Sequence, residues 1–156
     1  MFFEHFKIVY QFEHDEGKDL SMADEWDLTI DSFTARITFF KENKKIEMMG
    51  WIDILDFVLP LHSLAEELAI SDDMKKEYPF TESDSYLFFH KTKDTIKISS
   101  TWDGIAGDTS LTMPFREFFV EIKATLKKVI LEILDTHPEV KKNPIFLKYM
   151  KIAQVK

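Results

Sequence analysis

Five histidines and several close pairs of carboxylates are the residues of this chain able to do acid–base or metal chemistry. His5, His14, His62, His90 and His137 form no HExxH or other specific ligand spacing. His62 and Glu66 are four apart on a predicted helix, so they could share a metal or a proton, or be an ordinary surface pair. His14-Asp15-Glu16 could chelate a cation, but the stretch reads as a solvated loop. The carboxylates pair as Asp53/Asp56, Glu66/Glu67, Asp72/Asp73 and Asp103/Asp108. General acid–base work needs two carboxyls in different environments, facing each other across a cleft. Sequence neighbours rarely supply that. Asp53 and Asp56 have a structural role available, as helix cap and first-turn charge. Asp103 to Asp108 lacks the alternating oxygens and terminal Glu of an EF-hand loop, with Ile105 at a ligand position. There is no cysteine, hence no disulfide, thiolate nucleophile or thiolate metal site. There is no G-x-S-x-G elbow. Glycines stand only at 17, 50, 104 and 107, too few for a phosphate-cradling loop. Trp102 and Asp103, with Tyr86 on the neighbouring strand, could floor a pocket, although an aromatic at a strand end also serves as a core plug. No metal or cofactor is expected.

Charge is the stronger signal. The net charge is −8, unevenly spread. Residues 1–33 hold nine acids against two lysines, and residues 51–90 repeat that balance. Residues 138–156 hold five lysines against Glu139. An acidic surface repels phosphates, so nucleic acid is not an expected partner. The same field speeds encounter with a basic protein, though a solvated surface alone would also explain it. No apolar run approaches the ~20 residues of a membrane span, and the N-terminus lacks the features of a signal peptide. These features predict a cytoplasmic protein without a membrane partner.

The elements that must position these residues follow from periodicity. Residues 114–136 place Phe115, Phe118, Phe119, Ile122, Leu126, Val129, Ile130, Ile133 and Leu134 on one helical stripe. Arg116, Glu117, Glu121 and the lysines take the other side. At 1.5 Å per residue this helix is roughly 33 Å long, with Pro138 ending it. Residues 54–70 carry a second stripe, and Pro60 predicts either a kink there or a short turn before a helix that starts near it. Alternation predicts strands at 5–13, 26–30, 34–39 and 46–49, then at 85–90, 96–101 and 110–113. Residues 14–25, 74–84 and 102–108 read as loops. Asn143-Pro144 predicts the cap and first turn of a short C-terminal helix. The expected architecture is α+β: one domain, 1–156, with an antiparallel sheet of about six to seven strands packed on two main helices.

Three features resemble the small, acidic immunity proteins of bacterial polymorphic toxin systems. They are the WIDILDFVLPLHSLAEEL helix, the YLFFHKTKDTIKIS hairpin and the strand leading into FREFFVEI. The last segment is also similar to the closing segment of SUKH-type immunity domains, although a glycine-centred motif of that family is missing after VLPLHSLAEEL. The resemblance implies a binding module that neutralises a basic toxin. It carries no functional residue across. From charge, the candidate partner-binding residues are Asp15, Glu16, Asp24, Glu25, Glu66, Glu67, Asp72 and Asp73. The alternative is a small-ligand domain or enzyme with a cleft near Trp102 to Asp108, lined by Tyr86, Trp102 and Asp103. A third reading makes the basic tail, 141–156, a docking element of a larger assembly.

Overall fold

The chain is described by a computed structural model at residues 2–14, 18–48, 50–83, 85–101 and 110–156. It is α+β, with two antiparallel four-stranded sheets among the described residues. β1 (Phe3–His14), β2 (Phe33–Glu42) and β3 (Lys44–Glu47) lie in that order, and β4 (Ile52–Asp53) pairs with β2. The second sheet runs β5 (Asp73–Pro79), β6 (Tyr86–Thr92), β7 (Thr95–Ser100) and β8 (Ser110–Pro114). Among the described residues there are three α-helices: α1 (Ile54–Ala69), α2 (Phe115–Thr136) and α3 (Pro144–Ile152). The strands predicted at 5–13, 34–39, 46–49, 85–90, 96–101 and 110–113 fall into these two sheets, with α1 inserted in the chain between them. β8 lies close to β2 and β3 without a ladder joining them.

The phenylalanines explain how the sheets are joined. Phe118 of α2 has its ring 5.9 Å from Phe6 of β1 and 5.7 Å from Phe89 of β6. Phe57 of α1 does the same, 6.1 Å from Phe39 of β2 and 5.3 Å from Tyr78 of β5. α1 and α2 thus each insert an aromatic between the sheets. All five of these Phe side chains are at most 3% exposed. At about 1.5–3 kcal/mol per buried ring, such residues dominate the gross stabilisation of a domain this size.

Two segments depart from their predicted class. Residues 26–30 alternate like a strand but form a helical turn, which becomes π-type at Asp27–Asp31. Its start is a reciprocal cap: Asp27 N–H donates to Asp24 Oδ1 at 2.8 Å, and Asp24 N–H donates to Asp27 Oδ2 at 3.3 Å. That capping box, built from two aspartates, outweighs the alternation. Only Leu28 is buried there, and Trp26 is 62% exposed. Conversely, residues 74–79 read as a loop but form β5. Its inward side chains include Lys76, whose polarity hides the period-two pattern. Its buried end, Tyr78, anchors it.

α1 is continuous through Pro60. A proline there lacks the N–H that would bond the carbonyl four residues back, Asp56. The Tyr78 hydroxyl donates to that same carbonyl at 2.9 Å. Asp53 occupies the N-cap position but its side chain makes no capping bond, contrary to expectation. The cap of α3 is as expected: Asn143 Oδ1 accepts from Ile145 N–H at 2.9 Å and Phe146 N–H at 3.3 Å.

Glu117 and Glu121, predicted on the outer face of α2, lie instead against the edge of β1. Phe6 N–H donates to Glu117 at 2.8 Å and Ile8 N–H to Glu121 at 2.7 Å. Donors two apart on a strand and acceptors four apart on a helix are both about 6–7 Å apart, so the pairs match. Burial pushes the Glu117 carboxyl up. The bonds from Lys41, Phe6 N–H and His5 outweigh it and hold that carboxyl below its usual range. For Glu121 burial prevails and the carboxyl is raised.

Candidate functional site

An acidic groove of about 720 Å³ runs between the turn at 25–31, α1, β5 and the end of α3. Its floor is apolar, from Leu55, Leu59, Pro60 and Leu64 of α1. Four carboxylates line it: Glu25, Asp56, Glu67 and Glu77. Against them stands one cation, Lys76, whose Nζ lies 2.5 Å from Glu67 Oε2. At α3, Tyr149 is 8% exposed, and its hydroxyl is buried without a hydrogen-bond partner among the described residues. Burial and then the charge of Glu25 push that hydroxyl up to about 12. The hydroxyl therefore keeps its proton beside the Glu25 carboxylate.

The walls are positioned by few contacts. Asn143, 1% exposed, caps α3 and also donates its Nδ2 to the carbonyls of Leu20 and Ala23, both at 2.8 Å. That fastens the segment leading to Glu25 onto α3. On the far wall, the Thr81 hydroxyl donates to Asp56 Oδ2 at 2.7 Å. Beneath it, Asp53 N–H donates to Glu82 Oε2 at 2.8 Å. The Asp53 side chain is raised to about 7 by burial first, then by Glu82, Asp56 and Asp31. Burial and the three neighbouring carboxylates thus favour its protonated form.

The residues predicted from charge separate in space. Glu25 and Glu67 meet in the groove. Asp24 is spent on its cap. Glu66 points elsewhere, 3.1 Å from Lys123 Nζ and 3.6 Å from His62 Nε2. His62 is 8% exposed rather than a surface residue, and burial, with Lys123, lowers its basicity. Asp72 gives its carbonyl to Lys93 N–H, and Asp73 lies 3.1 Å from His90 Nε2. Tyr86 is partly exposed, its ring stacked on Phe88 at 6.2 Å. Asp15, Glu16, Trp102 and Asp103 lie outside the described residues, as does the cleft proposed at 102–108. Asp56, Glu77 and Tyr149 were not among the sequence candidates. Nothing in the linear pattern unites them, since they come from three elements.

A second concavity, about 790 Å³, lies between the start of β1 and α2. Of its three acids, Glu4, Glu117 and Glu121, the last two are already bonded to the β1 backbone. Among the described residues, no three of the His, Asp and Glu side chains converge so as to hold a metal ion, and no helix is long and apolar enough to cross a membrane.

Compared with known proteins, the chain matches no family model, no curated protein and no solved structure. The likeness to immunity proteins thus stands on the sequence features alone.

Proposed function

We propose that the chain is a protein-binding module whose acidic groove takes a basic segment of a partner protein. The observation that carries this reading is the groove's charge, four carboxylates against one paired lysine over an apolar floor. Rims of one charge sign act mainly on association rate and on rejection of wrong partners, while the floor supplies the contact area. The resemblance to immunity proteins extends the reading: the partner is a basic toxin, and binding neutralises it in the cytoplasm.

The test is capture from the source cells by the chain and by a Glu25→Lys, Glu67→Lys variant, at low and high salt. Both residues are exposed, so the variant is expected to melt within a few degrees of the parent. The expected result is a basic protein whose association slows by about tenfold or more in the variant and in high salt. A partner that binds both proteins equally, or whose association ignores salt, overturns the reading.

A further inference from the structure

We infer that the partner is held by strand addition: an extended basic segment pairs with the outward edge of β5 and lays alternate side chains into the groove. This rests on the groove reading above and specifies how that site is used.

The edge can be read from the ladder. At one end of β5, Lys93 N–H donates to the Asp72 carbonyl; at the other, Phe80 N–H donates to the Ser85 carbonyl. The register between β5 and β6 is unbroken from Asp73↔Thr92 to Pro79↔Tyr86. Hydrogen-bonded pairs recur at every second residue of an antiparallel ladder. Met74, Lys76 and Tyr78 therefore bond inward to β6, and Asp73, Lys75, Glu77 and Pro79 turn their backbone away from it. The Ser71 hydroxyl is bonded to the Asp73 backbone on both sides, N–H and carbonyl. Proline has no N–H to offer at 79. The N–H and C=O of Lys75 and of Glu77 remain, without a partner among the described residues. They are spaced as a ladder requires, about 6.6 Å apart.

The other sheet edges are closed or short. β1 is bonded at Phe6 and Ile8 by Glu117 and Glu121 of α2, which packs along it. β3 has four residues and β4 has two. β8 lies beside β2 and β3. Among the described residues, β5 combines seven regular residues with an open side that borders the groove, and an open side is a template for another strand.

The open side is also a wall of the groove, since Glu77 and Pro79 line it. A strand added there sends every second side chain toward the α1 floor and the carboxylates. Main-chain bonds then give affinity, and the groove selects apolar and basic side chains. A second copy of this chain is the competing occupant. Self-pairing about Lys76 would set Lys75 opposite Glu77, which is favourable. It would also press two acidic grooves together, so a foreign basic strand is favoured.

The test uses an acetylated peptide of alternating Val and Lys, the same peptide N-methylated at every backbone amide, and a Val/Glu peptide. NMR amide exchange is read at Lys75 and Glu77, with shifts followed at Glu25 and Glu67. The expected result is slowed exchange at both amides with the Val/Lys peptide, about tenfold weaker binding or more after methylation, and no binding of the Val/Glu peptide. Lys75→Pro removes one outward N–H and leaves the inward ladder intact; it should also weaken binding about tenfold, at an unchanged melting temperature. If the methylated peptide binds equally well and the two amides stay unprotected while Glu25 and Glu67 shift, strand addition is overturned and the groove reading stands. If neither peptide shifts Glu25 or Glu67, both fall. Sedimentation showing a dimer that Lys75→Pro dissociates would make the second copy the occupant and overturn the foreign strand.

Discussion

Replacing Tyr78 by Phe removes one hydroxyl and strands one carbonyl, that of Asp56, which Pro60 cannot serve. The expected cost is about 1–3 kcal/mol, read from urea unfolding. In that background Pro60→Ala should recover part of the loss, because alanine brings its own N–H. Equal effects of Pro60→Ala in both backgrounds would show the two residues to be uncoupled. Asp53 makes a pH prediction. Burial and its carboxylate neighbours push its carboxyl up to about 7 in the folded chain against about 3.9 when unfolded, so between those values the folded state binds more proton. Stability should fall as pH rises from about 4 to about 7 and level off above. Asp53→Asn should flatten that slope and raise the melting temperature at pH 8; thermal melts across the range decide it. At this scale the sequence was a partial guide. Asp53 and Asp56 were visible as a pair, but the groups that meet them, Glu82 and Thr81, arrive through folding from beyond α1. The Asp24/Asp27 cap was legible in the spacing, and the alternation of Trp26, Leu28 and Ile30 obscured it.

Among elements, α2 does more than its stripe announces. The stripe is buried as the periodicity predicts, except that Phe119 and Leu134 are half-buried at its margin. Its acids also shield the edge of β1. Replacing both Glu117 and Glu121 by Ala should strand two backbone donors, at about 1–3 kcal/mol each. It should also open β1 to pairing with other chains, visible as concentration-dependent aggregation. A variant that stays monomeric at the parent's stability would show that solvent serves those N–H groups as well. The helices were easy to find because a three-and-four period survives charged neighbours. β5 was missed because an edge strand carries polar residues on both faces, and Lys76 sits where an apolar residue would mark the period. The split into two sheets was not legible either, since strand pairing across the core depends on contacts far apart in the chain.

At the scale of the molecule, acidity is not a uniform coat. Some acids are spent on structure, as caps and edge covers, and others are left facing the groove. Composition showed the excess and could not divide it. The groove itself has a consequence in time. Its Glu25 wall is fastened by Asn143, through a bond spanning 120 residues, and Tyr149 closes its end. During synthesis the segment around Glu25 leaves the ribosome long before Asn143 exists. A growing chain therefore carries the acids of the site but not its shape, and recognition must wait for α3. Ribosome-bound chains arrested before residue 143 should fail to bind a partner that the released protein holds.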